Sequence, residues 1–424
     1  MSPLPVRASL AALALSLSAC GPTETTPSSS TGAFGVVTVG GVQKLYLPLE
    51  ELNEAGHAQV AVVDVGKAGN GLTAAPALLK LIDLGTSEIA TATGGDDRSI
   101  IAVSTSSARA WIINPQTDTL VKSVEVASAN GLSSFSGGGG RVTGVAMDSE
   151  QREAILSVWN GFAVLDADTG AQKRTLSAPP VENFGYDPVR RRIYAPFYGC
   201  TDALSDDAAQ SPAACSTTKA GSGEDMTDGM TVVDLADGTV YVYQDASVPI
   251  PSQPLGGEPD SAAVDLSTQV VVVPSESNKF QNVLDFSRAT FDRAARTVTA
   301  PAVRLGEYGL EGVAIESNRH LAFLEEEFGN TVGVVDLSRA MAGTGEVRVA
   351  TMPELVDGPW GNMGDPHGIA VTTSLSGGRP VGFLVDASRR FVARVDLERL
   401  QAEGKVSGDI PVLGGSAVTL LEVK

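Results

Sequence analysis

Basic residues, aromatics, cysteine and histidine are all scarce in this chain of 424 residues, and each scarcity removes a class of function. Lys and Arg number 30 against 50 Asp and Glu, a formal net charge of −20. Phosphate backbones would be repelled, so nucleic acid is not an expected partner. Aromatic side chains make up 5% of the residues, with three Trp, too few for the rows of stacking platforms that sugars or single-stranded bases need. Helical periodicity is nearly absent. So are the standard catalytic signatures: there is no Gly-x-Ser-x-Gly, His-Glu-x-x-His, Cys-x-x-Cys or phosphate loop. Gly69–Ala74 imitates a dinucleotide fingerprint, but Pro76 and the strand-like Leu78–Leu84 follow, leaving no helix N-terminus for a phosphate. Asp166-Ala-Asp168-Thr-Gly170 imitates a calcium loop without the closing Glu and reads as a hairpin turn. The Arg190–Arg192 run reads as a solvated hairpin edge.

The one extended apolar run, Ala8–Ala19, is too short to cross a bilayer as a helix; with Arg7 before it, it reads as a signal-peptide core. It ends in Leu17-Ser18-Ala19-Cys20. This tetrapeptide resembles the lipobox of bacterial lipoproteins, and the resemblance implies a diacylglyceryl group on the Cys20 thiol and cleavage before it. Residues 1–19 are then the leader. Residues 20–32, mostly Pro, Thr and Ser with one Glu, form the lipidated cysteine and a disordered tether. Each buried acyl CH₂ contributes about 0.8 kcal/mol, so several chains hold a protein on its membrane. Gly21 stands where many inner-membrane lipoproteins carry Asp, which points to the outer membrane or the periplasmic side of the cell envelope.

With Cys20 lipidated, Cys200 and Cys215 remain, both in one polar loop. In an oxidising compartment a disulfide between them staples that loop, worth ~3 kcal/mol for a ring of this size. A metal pair is the alternative, although no further Cys or His lies nearby in sequence.

What the chain has in abundance is internal repetition. A β-rich phrase ending in Asp or Asn recurs at Val60–Asp64, Ala110–Asn114, Phe162–Asp166, Met230–Asp234, Asn282–Asp285, Val332–Asp336 and Phe391–Asp396. The closing residues are 50, 52, 68, 51, 51 and 60 positions apart. Around the third phrase the internal order is plain: Val142–Met147, Ala154–Val158, Phe162–Asp166 and Gln172–Leu176 are four short alternating runs joined by polar turns. Such a meander cannot bury both its faces alone, so seven must pack radially. Leu337–Ala340 and Leu397–Leu400, short helical pieces after two of the phrases, keep the same register. The expected fold of residues 33–424 is all-β: a seven-bladed β-propeller of four-stranded antiparallel blades. The second unit, Ala110–Val124, resembles the YVTN-type propeller repeats without the tetrapeptide itself, and Tyr186–Tyr194 and Pro366–Ala370 are similar in character.

In such a blade the turn between strands two and three shares a face with the link to the next blade. The longest insertions are expected there: Ala127–Arg141, Phe197–Gly229, Ala246–Asp260, Pro274–Asn282 and Thr351–His367. Long loops on one rim either display function or mark where insertions are tolerated. Carboxylates collect on this face, with Glu258, Asp260, Glu311, Asp365 and His367 expected near the channel mouth and Glu325–Glu327 on the same rim. They form either a solvated acidic rim or a site for a hard divalent cation such as Ca2+, with Glu311 and Asp365 as ligand candidates. Two functions follow. One is a noncatalytic, membrane-anchored propeller binding a protein or small molecule across its long-loop face, with no cofactor. The other is a metal-dependent hydrolase, by analogy with lactonase-type propellers, using Glu311, Asp365 and His367. For ring closure, the β-prone Ala417–Val423 is expected to pair within the blade that contains Lys44–Leu49. Mass spectrometry of unreduced peptides should find Cys200 linked to Cys215; two thiols that alkylate without reduction would remove the staple.

Overall fold

The seven anchor phrases are the third strands of seven separate sheets. The structure, a computed structural model, describes residues 35–423 except 50, 68–74, 105–108, 127–143, 159–160, 180, 182, 198–225, 227, 246, 248–252, 260, 327–329, 353–368, 374–377 and 386–390. Each sheet is built on an antiparallel meander of four strands, and two of the sheets are extended at the outer edge by strands from the next blade. Blade 1 comprises Val36–Val39, Val42–Leu49, Gln59–Asp64 and Leu78–Asp83. Blade 2 follows with Ala92–Gly95, Ile100–Val103, Arg109–Asn114 and Thr119–Glu125, and blade 3 with Val145–Asp148, Glu153–Val158, Gly161–Asp166 and Gln172–Ser177. Blade 4 is Gly185–Asp187, Arg192–Phe197, Gly229–Asp234 and Thr239–Tyr243; blade 5 is Ala263–Asp265, Val270–Ser275, Phe280–Asp285 and Ala302–Leu305. Gly312–Glu316, Leu321–Glu325, Thr331–Asp336 and Val347–Thr351 make blade 6, and Ile369–Thr373, Pro380–Val385, Phe391–Asp396 and Val418–Glu422 make blade 7. Neighbouring blades meet chiefly through their first strands, as Ala92–Gly95 with Val145–Asp148 and Gly312–Glu316 with Ile369–Thr373, whereas of the fourth strands Leu78–Asp83 and Thr119–Glu125 are the pair that meets, so the first strands are innermost. The chain is a seven-bladed β-propeller.

Why the middle strands read as unbroken apolar runs follows from their two buried faces. Successive side chains of a strand point to opposite faces, so Val60 and Val62 of blade 1 pack towards blade 2, whereas Ala61 and Val63 pack towards blade 7. The buried apolar residues accordingly divide into seven clusters, each shared by two neighbouring blades. Trp111 of blade 2, fully buried, meets Tyr46 and Val62 of blade 1 in one of them.

The acidic ending of each anchor phrase has a local cause. Asp64, Asn114, Asp166, Asp234, Asp285, Asp336 and Asp396 each accept, through a side-chain oxygen, a backbone N–H two or three residues ahead. This pins the turn towards the fourth strand. In blades 6 and 7 it also caps the helices Leu337–Met341 and Leu397–Glu403. Asp166–Gly170 is thus the hairpin turn expected of it.

Polar contacts cross every seam at the turns. Lys44 of blade 1 reaches Asp118 at 2.8 Å, Arg152 of blade 3 reaches Asp96 at 2.5 Å, and Arg191 of blade 4 lies 3.2 Å from Asp148. Arg293 of blade 5 pairs with Asp237 at 2.6 Å, and His320 of blade 6 with Asp265 at 2.7 Å. Thr373 of blade 7 donates to Glu316 at 2.5 Å, and Gln43 of blade 1 donates to the Thr373 carbonyl at 2.9 Å. The Arg190–Arg192 run is therefore not a solvated edge. Besides Arg191, Arg190 pairs with Asp187 at 2.8 Å and the Arg192 guanidinium lies 4.3 Å over the Phe291 ring.

Two expectations are corrected. Val418–Glu422 pairs antiparallel with Phe391–Asp396 as the fourth strand of blade 7, and not with the blade that contains Lys44–Leu49. Blade 1 fills its four places from its own sequence, so closure rests on Leu45, Leu47 and Val63 packed against Val381, Phe383 and Leu421, joined by a short backbone pairing of Ala75–Pro76 with Leu421 and Glu422. Pro274–Asn282 is no insertion either, because Ser275 pairs with Phe280 across the tight turn at 276–279.

The long connections that sequence alone did not place run from the third to the fourth strand and cover the outer edge of the preceding blade. Thr297–Thr299 of blade 5 pairs in parallel with the outer strand of blade 4, and its hairpin partner Thr290–Asp292 sets Phe291 edge-on to Tyr241. Ala75–Pro76 of blade 1 pairs in parallel with the outer strand of blade 7. Lys405 and Val412 of blade 7 bridge to Val349 and Thr351 of blade 6, and Leu337–Met341 of blade 6 lies against blade 5.

Leu421→Ala should weaken closure and cost about 2–5 kcal/mol in denaturant unfolding, the range for a buried Leu. Val121→Ala, at a side chain 55% exposed, should stay within about 0.5 kcal/mol.

Candidate functional site

On the face opposite the tight turns, the chain passes from blade to blade and from second to third strands. The residues just ahead of the first strands are polar and buried in blades 2 to 6: Thr91, Asn183, Ser261 and Glu311, with Ser157 serving blade 3 from its second strand. Most are consumed in fixing backbone. Thr91 Oγ1 donates to the Val103 carbonyl at 3.2 Å, Ser157 Oγ accepts the Gly144 N–H at 2.6 Å, and Ser261 Oγ donates to the Glu311 carbonyl at 2.5 Å. Asn183 differs: it is fully buried, and among the described residues neither its amide nitrogen nor its oxygen has a hydrogen-bond partner. A buried amide without partners costs free energy, and it sits beside the innermost strand of blade 4. Asn183 escaped sequence reasoning because nothing in the local pattern separates it from a loop Asn.

The passage from blade 4 to blade 5 is held tightly. Asn282 Nδ2 donates to the Leu255 carbonyl at 2.9 Å, Ser275 Oγ donates to the Gly257 carbonyl at 2.9 Å, and the Asn278 side chain accepts the Gly257 N–H. Gly256 has φ +90°, and a Cβ there would lie 2.5 Å from Ser275 Oγ, so the passage requires glycine on both counts. This places Glu258, itself at φ +53°, beside the turn of blade 5, where its carboxylate accepts from Ser277 Oγ. Glu276 lies next to it. Burial pushes the Glu276 carboxyl above its ordinary pKa, and the charge of Glu258 adds to the rise.

Of the residues expected at the channel mouth, Glu258 is exposed and Glu311 is buried on the next passage. The Glu311 N–H donates to the Glu325 carbonyl at 2.8 Å, and the Glu325 side chain is buried as well. Asp260, Asp365 and His367 lie outside the described residues, as do Cys20, Cys200 and Cys215. Among the described residues no group of three or more His, Cys, Asp or Glu is placed to hold a metal ion. From the acidic loop 198–228, Asp228 is described: it is buried and accepts from Gln253 Nε2 at 2.9 Å. His57 and His320 are engaged at turns, the former 3.0 Å from Asp83.

No protein-family model and no curated protein sequence matches the chain. Solved structures do match in fold. Hydrazine synthase of Kuenenia stuttgartiensis is 11% identical with a TM-score of 0.50, covering 77% of this chain and 83% of that one. A functionally unknown protein from Desulfotomaculum acetoxidans is 14% identical with a TM-score of 0.51, covering 88% of this chain and 98% of its own. At these identities the likeness concerns the fold alone.

Because the Glu276 pKa is raised on folding, its contribution is favourable below the usual carboxylate range and is lost as pH rises through the folded value. Glu276→Gln should therefore raise the melting temperature at pH 7. The gain should vanish below about pH 4, where the carboxyl is protonated in both states. Parallel melting curves with pH would show it, and an unchanged midpoint at pH 7 would remove the charge conflict with Glu258.

Proposed function

We propose that the chain is an exported lipoprotein, tethered through Cys20 to a membrane of the cell envelope, whose propeller acts as a noncatalytic scaffold for a protein or small ligand. The observation that carries the scaffold role is the division of labour between its two kinds of long connection. Those between strands three and four in blades 5, 6, 7 and 1 are used up in covering neighbouring edges. Those leaving at Val126, Phe197, Tyr243 and Thr351 all start from the opposite rim, on the face that carries the passages between blades. Rigid seams beneath and long loops above are the arrangement of a display scaffold. Support for the anchor comes from Leu17-Ser18-Ala19-Cys20 at the end of an apolar run, and a disulfide between Cys200 and Cys215 would brace the loop between residues 197 and 229.

Cys20→Ala should release the protein from membranes or leave its leader uncleaved, as read by fractionation and by the mass of the mature chain. A variant that still partitions wholly with membranes would overturn the anchor.

A further inference from the structure

Among the described residues the outer edges of blades 1, 2 and 3 receive no covering strand, because the following blades turn from third to fourth strand within a few residues, at 115–118, 167–171 and 235–238. Blade 1 has the apolar edge of the three. Leu78, Leu79 and Leu81 of its outer strand are 37%, 44% and 40% exposed. Leu52 stands beside the same blade's outer end, where Asn53 Nδ2 bonds Asp83 at 3.1 Å. Val121 lies on the outer strand of blade 2 alongside. These five are the majority of the nine large apolar side chains exposed among the described residues, gathered on one stretch of rim. Three lysines frame them: Lys67, whose Nζ meets the Pro76 carbonyl, Lys80, whose Nζ meets the Thr117 carbonyl at 3.1 Å, and Lys122. Asp83, Glu51 and Glu54 are exposed at one end of the patch, but along the strand itself leucine alternates with lysine, and in a chain of net charge −20 that pairing suits a surface settling at a lipid headgroup boundary.

We infer that this rim of blade 1 rests on the bilayer that holds the lipid anchor, with the leucines at the acyl boundary and the lysines at the lipid phosphates. The inference builds on the anchoring proposed above. Cys20 precedes Val36, the start of blade 1, by 16 residues. A random coil of that length spans about 20–25 Å on average, so an anchor at Cys20 would hold this blade near the membrane at high effective concentration. A second copy is a poorer occupant. Antiparallel pairing of two such edges about a two-fold axis joins residues of the same face. The register that sets Leu79 against Leu81 therefore sets Lys80 against Lys80, like charge directly opposite like charge.

The test uses the full, lipidated chain reconstituted in vesicles of phosphatidylcholine and phosphatidylglycerol containing brominated acyl chains. Tryptophan is introduced by Leu79→Trp and, at a remote turn of blade 4, by Val189→Trp, where the native side chain is 73% exposed. The emission that Leu79→Trp adds over the parent chain should fall at least twofold in brominated vesicles, and that of Val189→Trp should not fall. If the protein floats with the vesicles and Leu79→Trp is unquenched, the docked rim is refuted and the anchor stands. If it does not float, the anchor itself fails and the inference falls with it. Shielding of Leu79→Trp without vesicles, growing with protein concentration in step with a dimer in sedimentation, would assign the rim to a second copy and overturn the proposal.

Discussion

A four-stranded sheet that is apolar on both faces has no stable form by itself, and this constraint governs the whole molecule. Each blade must be covered on two sides, so the only finite solution for identical units is a closed ring. The buried residues express this directly, since no blade owns a core: Val60 and Val62 serve one seam while Ala61 and Val63 serve the next. Closure between blades 7 and 1 is made by the same means as every other seam, Phe383 and Leu421 against Leu45 and Leu47. The polar contacts that cross the seams, such as Arg191 with the buried Asp148, add modestly to stability because desolvation offsets much of their attraction. Their geometry sets how far one blade is rotated against its neighbour.

The same rigidity shapes the face carrying the passages between blades. Polar side chains there are spent on backbone: Ser261, Ser275 and Asn282 hold carbonyls of the connecting chain rather than facing outward. What is left over is small and specific. Asn183 is buried with its amide unused, and Glu276 is kept close to Glu258 despite the electrostatic cost. Both lie at blades 4 and 5, which therefore hold the least relaxed of the described groups on this face.

The propeller was legible because its signals are local and repeated. An Asp or Asn ending each third strand has to be there to hold the following turn, and a doubly buried strand has to read as a continuous apolar run, so seven copies could be counted. Closure was not legible. Ala417–Val423 looked spare only because the 21 residues between Asp396 and Val418 disguise a fourth strand that arrives late, after the helix Leu397–Glu403 has been laid on blade 6. The Arg190–Arg192 run misled for a related reason: its partners Asp148, Glu153 and Phe291 belong to blades on either side, and contacts between repeats leave no mark on the periodicity within one. Of the candidate site residues, Glu258 and Glu311 fall on passages between blades, and Asp260, Asp365 and His367 lie outside the described residues. Asn183 was missed because an unused amide is a property of its surroundings and not of the residue.

Where a connection covers an outer edge it reaches backward around the ring: blades 5, 6 and 7 each cover the blade before them in sequence, and blade 1, through Ala75–Pro76, covers blade 7. For a chain that emerges from its N-terminus this sets an order of assembly. Blades 4, 5 and 6 each wait with a bare edge until the next unit has been made, which exposes pairing strands during synthesis. Blade 7 does not wait. Its cover, Ala75–Pro76, is contributed by blade 1, so the final unit arrives to find that segment already made, and the step that completes the ring pairs Leu421 and Glu422 with it at once.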